Sequence, residues 1–287
     1  MKFGLTVSFL LSKSVRVSSI SFCRTAFLYC VTSVLYAPNA FAGAWTQPTH
    51  AHYVEFSLSR YDTRQEFNAD AMQAPILSLS PPLHDGRYVS TNLGMYAEYG
   101  VTHEVTLVGS VQAKISSSTY WDSANHVSVP FAGLGDLSLY GRYALTTAPI
   151  VSAVQFGWKF LTSELQGSIA AGGSLPVPHW NTYVNTEWGY RIRTGAVSNE
   201  IFYLEECGFA IFNGAAGLQL AIDGTITQGS ARTVLFTEIS RNQTFRRATA
   251  GLSLAASEKL RLVLKFARIL FGRNTLAGST YSIGIAL

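Results

Sequence analysis

From Gly43 to the C-terminus the chain alternates apolar and polar residues with a period of two. Between Glu104 and Ile115, Val105, Leu107, Val111, Ala113 and Ile115 share one face with Gly109. Thr106, Ser110, Gln112 and Lys114 share the other, with Val108 the exception. From Asp136 to Leu145, Leu137, Leu139, Tyr143 and Leu145 oppose Asp136, Ser138, Tyr140 and Arg142. From Trp180 to Arg193, Val184, Trp188, Tyr190 and Ile192 oppose Asn181, Asn185, Glu187, Arg191 and Arg193. A repeat of two belongs to β-strands, and one greasy face per strand means each is half-buried.

Alternation alone fits a soluble sandwich as well as a membrane barrel, and three further features favour the barrel. The segments run about 10 to 13 residues, beyond the usual soluble strand of about 5 to 6 and long enough for a membrane strand of about 9 to 11. Aromatic residues gather near segment ends (Tyr61, Tyr88, Tyr99, Trp158, Phe160, Trp180, Tyr190, Phe271, Tyr281), where interfacial girdles sit. Short and long connections also alternate. Tight turns are expected at 100–103, 147–149, 176–178, 213–214 and 257–259. Longer links are expected at 62–86, 116–134, 161–164, 194–199, 225–241 and 272–278. That pattern predicts an all-β, single antiparallel transmembrane barrel over 43–287 with about twelve strands, ten or fourteen also being compatible. Thr233 to Ile239 reads as a strand that would make the count odd, and is assigned to an extended outer loop or a longer ninth strand. Glu258 to Leu270 could form a basic amphipathic helix. As a strand, its Leu260, Leu262, Leu264 and Phe266 alternate with Arg261, Val263, Lys265 and Ala267, and this fits the flanking turns.

The first 42 residues are of another kind. Lys2, Lys13, Arg16 and Arg24 precede an apolar stretch from Thr25 to Tyr36, and Ala40-Phe41-Ala42 gives a small-x-small cleavage site before Gly43. Those parts in that order read as a secretory signal peptide, 1–42, cleaved near Ala42. The leader carries four cations and no acid, so the formal charge of +4 falls to zero on its removal. The basic balance therefore implies no nucleic-acid partner. Of the three cysteines only Cys207 outlives processing, so no internal disulfide can hold the fold. Composition agrees with the barrel: 48% of residues are hydrophobic and only 13% charged, against about a quarter charged in soluble domains. No apolar run approaches the roughly 18 residues of a spanning helix.

Several patches, in order along the chain, resemble one family. They are Gly43-Ala44-Trp45-Thr46, Ala97-Glu98-Tyr99-Gly100-Val101-Thr102, Gly133-Leu134-Gly135-Asp136-Leu137, Glu187-Trp188-Gly189-Tyr190-Arg191 and Gly272-Arg273-Asn274-Thr275. The set is similar to the outer-membrane β-barrels of Gram-negative bacteria labelled transporters of the meta-pathway of phenol degradation. The resemblance implies a barrel in the cell outer membrane, transport, and contact with outer-membrane lipid and the barrel-insertion machinery. The chain departs from that family at its end, closing on Leu287 where an aromatic residue is usual.

Candidate chemistry lies on the polar faces, where Glu55, Glu98, Lys114, Asp136, Arg142, Lys159, Glu187, Arg191, Arg193, Arg261 and Lys265 fall. Mixed signs facing one interior either form a lattice of ion pairs that holds a narrow barrel or build a charged constriction. His126 and Ser128, two apart with Asp122 nearby, are the only hint of hydrolase chemistry, and no G-x-S-x-G elbow supports it. His50, His52, His84, His103 and His179 are scattered without metal-ligand spacing, and no phosphate-binding glycine loop occurs. No catalytic residue, cofactor or metal is expected. Glu205 and Glu206 are adjacent, so a strand turns one of them toward lipid or the rim. The expected function is passive passage or binding of small, even apolar, solutes in the lumen. The rivals are a surface-interaction barrel working through residues 62–86, 116–134 and 225–241, and an outer-membrane lipid or ester hydrolase.

Overall fold

The computed structural model describes residues 43–78, 83–177, 180–194, 198–228 and 243–287. The expected signal peptide and the expected strand at Thr233–Ile239 lie outside the described residues, as does residue 178 of the expected turn at 176–178, whose Pro176 and Val177 instead continue a strand paired with Asn181 and Trp180.

The strands follow in chain order: β1 (His52–Thr63), β2 (Gln65–Phe67), β3 (Gln73–Pro75), β4 (Leu83–Gly100), β5 (Val105–Asp122), β6 (Asn125–Thr146), β7 (Val151–Lys159) and β8 (Glu164–Val177). Then come β9 (Trp180–Ile192), β10 (Glu200–Ile211), β11 (Ala216–Thr227), β12 (Thr244–Ala255), β13 (Arg261–Arg273), β14 (Thr275–Leu276) and β15 (Ser279–Ala286). Twelve of them, β1, β4 to β13 and β15, close into one antiparallel barrel. Each neighbours the barrel strand next to it in sequence, and β1 against β15 completes the ring, Glu55 facing Ala286 and Asp62 facing Ser279. Closure leaves the ring no edge in the bilayer, where an unpaired N–H or C=O costs several kcal/mol. No helix of the described residues is long and apolar enough to cross a membrane, so any crossing is made by strands.

The alternation read from sequence separates two solvents. On β5, Leu107 and Ile115 lie outside and exposed, whereas Thr106, Val108 and Ser116 are buried inside. On β6, Leu137, Leu139, Tyr143 and Leu145 point out while Ser138, Tyr140 and Arg142 are buried within. Val108, the sequence exception, fills an inward position at 3% exposure. Of the segment Glu258 to Leu270, Arg261 onward forms β13, with Leu254 opposite Leu262 and Leu252 opposite Leu264, while Glu258 to Leu260 belong to the turn before it.

The tight turns fall where expected at 100–103, 147–149, 213–214 and 257–259, and they lie on the same side as His52 and Ala286. On the other side the expected long loops are partly strand. β5 and β6 continue through 116–134 as a paired ribbon, from Ser116 facing Phe131 to Asp122 facing Asn125. The ribbon turns at Ser123, whose φ is +55°. There the apolar–polar contrast fades because neither face meets lipid, although the backbone groups still need partners. β7 pairs with β6 only from Ser138 to Thr146, so the upper half of β6 has a partner on one edge only among the described residues.

The links 62–86 and 272–278 contain a second, three-stranded sheet in the order β14-β2-β3. It sits over a small core of Ile76, Leu77 and Tyr88, against which Tyr61, Leu83, Tyr120 and Leu276 pack. Gly86 allows that core to close, since a Cβ there would lie 2.5 Å from Ile76 Cγ2. Because Tyr61, Tyr88 and Tyr120 face inward, this core covers the upper mouth beside β1, β4 and β5.

Candidate functional site: the barrel lumen

All the polar-face residues singled out in the sequence face inward, and three ion pairs join six of them. Lys265 Nζ lies 2.7 Å from Glu55 Oε1, Arg142 Nη1 lies 3.0 Å from Glu98 Oε1, and Lys159 Nζ lies 3.4 Å from Asp136 Oδ2. Lys114 stands over the Tyr88 ring, 5.5 Å from its centroid. Glu187 accepts from Ser168 Oγ at 2.6 Å, and Arg261 donates to Gly214 O and Ser253 Oγ. Structure adds partners that the sequence did not single out. Arg247 and Asp223 form a two-pronged pair at 3.1 and 2.9 Å. Arg191 and Arg193 lie between Glu164, at 3.5 and 3.4 Å, and Glu200, which binds both. Glu206 accepts from Tyr183 at 2.7 Å and from Gln219 at 2.6 Å. Glu164 and Glu200 could have been found in the sequence by extending the alternation to the strand ends, where each begins a strand.

Cations and carboxylates thus alternate around the wall, and no ring of one sign forms among the described residues. Pairing offsets the desolvation of these groups. It also removes the electrostatic basis for strong discrimination between anions and cations.

The lower mouth is occupied by the chain itself. Residues 43–51 precede β1 and cross the bore toward β9, which lies six strands from β1 in the ring of twelve. Gly100 N donates to Ala51 O, and His50 N donates to Gly100 O at 2.8 Å. Gln47 N donates to Thr106 Oγ1 at 2.7 Å, and its Nε2 donates to Glu98 Oε2 at 2.6 Å. Arg142 Nη1 reaches Trp45 O at 2.9 Å while also pairing with Glu98. Trp45 meets the Tyr183 ring edge-on at 5.8 Å and lies over Gly172, where a Cβ would come within 2.6 Å of the indole. Ala44 N donates to Asn185 Oδ1 at 3.0 Å. Glu98 is therefore buried at 2% exposure and bound by Gln47, Tyr96 and Arg142. Nothing in the sequence pattern announces this crossing, because the segment has no period.

Above the segment a cavity of about 1220 Å³ opens along β6 to β13. Its wall mixes charged groups such as Glu200, Arg191 and Asp223 with Phe202, Leu204 and Phe245. The Arg191 guanidinium stacks 5.3 Å from the Phe202 centroid. No group of His, Cys, Asp and Glu able to hold a metal occurs among the described residues. His126 contacts the Trp121 ring at 5.3 Å and Ser128 Oγ pairs with Ser117 Oγ at 3.3 Å. Both sit on the outer ribbon, and neither contact joins them into a nucleophile–base pair.

Against solved structures, the chain is similar to an outer membrane channel from Pseudomonas putida F1, at 12% identity and a TM-score of 0.57. The match covers 87% of this chain and 99% of that one. The likeness is one of fold, a closed antiparallel outer-membrane β-barrel. Lower similarity extends to the transport unit of the autotransporter AIDA-I from Escherichia coli (8% identity, TM-score 0.47, 95% and 99% covered). A monoaromatic hydrocarbon channel also matches (9% identity, TM-score 0.45, 84% and 88% covered). No protein-family model matches the sequence, and no curated protein matches it. The barrel fold agrees with the twelve-strand outer-membrane barrel expected from the alternation.

Proposed function

We propose that the chain is a passive channel of the outer membrane, taking small solutes into the upper cavity and restricting their exit at the segment-filled lower mouth. The observation that carries this reading is the pairing of an open cavity of about 1220 Å³ with a bore crossed by residues 43–51. Phe202, Leu204 and Phe245 in the wall favour solutes with an apolar part, and the paired charges favour none of either sign. Planar-bilayer recording tests it. The intact barrel should conduct weakly, and deletion of residues 43–50 should raise conductance several-fold. A barrel that neither conducts nor accumulates solute, with or without the segment, overturns the proposal.

Maturation belongs to the same reading. Signal peptidase would release Gly43, beside which Ala44 is fully buried in the bore, and the insertion machinery would deliver the barrel to the outer membrane. Mass spectrometry of the membrane-extracted protein should give Gly43 as its first residue. A second reading rests on the β5–β6 ribbon, which stands beyond the barrel with one edge of β6 unpaired among the described residues and with Phe131 and Leu134 exposed. Such an edge suits capture of an extended segment. Trimming 116–134 to a short turn should then abolish surface adhesion while leaving conductance intact.

A further inference from the structure

The lipid-facing wall is not uniform. Along β11, β12, β13, β15 and β1 it is indented into an external groove of about 700 Å³. Leu58, Leu252, Leu264, Phe266, Tyr281 and Ile283 line it. Its floor is shallow-sided because β12 presents only Ala250 beneath the Phe266 and Tyr281 rings, which lie 5.2 Å apart.

Directly above the groove stand arginines that point out of the barrel. Arg60, exposed, faces Tyr281 across the β1–β15 pair. Arg268, exposed, is two residues above Phe266 on β13 and shares a row with Ser279 and Asp62. Arg87 pairs with Asp62 at 3.0 and 2.5 Å, and the same carboxylate also feels the charges of Arg60 and Arg64, so the cluster keeps a net positive charge. Arg60 and Arg268 form no ion pair among the described residues. Counting from His52, Arg60 sits about 20 Å up the wall for a strand tilted by about 40°, near the upper limit of an apolar band about 25 Å tall. An uncompensated guanidinium at that depth is expensive unless it meets an anion or snorkels to water.

We propose that the groove and its arginines bind a phosphorylated lipid of the outer leaflet. One acyl chain lies along Leu252, Leu264 and Ile283, and Arg60 and Arg268 hold the phosphate. Both halves of the ligand are specified separately, the chain by an apolar hollow that faces the bilayer and the headgroup by net positive charge at its upper end. Guanidinium suits this position because its planar fork holds phosphate by two parallel hydrogen bonds. The inference rests on the barrel's residence in the outer membrane and is independent of whether it conducts.

Native mass spectrometry of the full chain, extracted in detergent and titrated with bisphosphorylated lipid A or its dephosphorylated form, tests the site. The wild type should retain the phosphorylated lipid at least 5-fold better than the dephosphorylated one, and Arg60→Gln/Arg268→Gln should lose that preference. Ala250→Trp, which fills the groove and leaves the arginines in place, should reduce retention of both lipids. Heat-modifiable gel migration verifies that each variant is a folded barrel, and bilayer recordings on the same samples keep failure of the channel reading separate. Equal retention of the two lipids by the wild type, or an unaltered preference in the double variant, overturns the proposal.

Discussion

The inner and outer walls of the barrel are made from the same strands and treat charge in opposite ways. Glu205 and Glu206 place one carboxylate on each wall within two residues. Glu206 points inward, is buried, and accepts hydrogen bonds from Tyr183 and Gln219. Glu205 points outward from the middle of β10 and accepts from Trp188 Nε1 at 3.0 Å and Thr186 Oγ1 at 2.8 Å. Trp188 in turn stacks on Tyr203, which accepts from Arg246 across Gly224. At Gly224 any side chain would collide with the Tyr203 ring, its Cβ lying 2.8 Å from the hydroxyl. The inner wall satisfies most of its charge by pairing it with opposite charge, with Glu206 itself held by the neutral donors Tyr183 and Gln219 beside the polar cavity. The outer wall tolerates one mid-height carboxylate only by surrounding it with neutral donors and aromatic rings.

Three experiments would sharpen or break this contrast, and the largest effect is expected at the most buried inner pair. Arg142→Met leaves Glu98 without its cation and should cost about 3–5 kcal/mol, read by urea unfolding in lipid vesicles. Adding Glu98→Leu should recover much of that loss, because the uncompensated charge is gone. A recovery of nothing would mean that Arg142 acts through Trp45 O and the bore segment rather than through Glu98.

Next comes a cation placed on each wall at similar height. Ile222→Arg, on the outer face, should cost about 2–4 kcal/mol, as cations facing the bilayer midplane do. Thr249→Arg, which enters the upper cavity, should stay within about 0.5 kcal/mol because water and carboxylates are at hand. Equal costs would mean that the outer face does not lie in lipid. The smallest effects belong to the paired glutamates. Glu206→Gln should lose about 1–2 kcal/mol with its charge-assisted bonds. Glu205→Gln keeps an acceptor for Trp188 while removing a charge from lipid, and should stabilise by up to about 1 kcal/mol. The opposite signs are the diagnostic feature of that last pair.

Much of this was legible in the residues themselves. The faces of β5, β6 and β9 follow from alternation, as do the tight turns on one side and the strand identity of Arg261 to Leu270. The inward placement of Glu55, Glu98, Lys114, Arg142 and Lys265 was legible for the same reason, since a period of two assigns every side chain to a face once one is assigned. Which inward residues pair was not legible. Lys265 meets Glu55 from 210 positions away, and only ring closure brings β13 within reach of β1 across β15.

What the sequence determined by itself is the solvent of each side chain: alternation is local, and a strand that buries one greasy face cannot slip by a single residue without exposing it. What tertiary structure decided is everything that depends on the bore. The crossing of residues 43–51 to Tyr183 and Asn185, the joining of Arg191 and Arg193 to Glu164 and Glu200, and the hollow above Ala250 arise from how twelve strands curve around one axis. Curvature and closure are properties of the whole ring, and no single strand carries a pattern that records them.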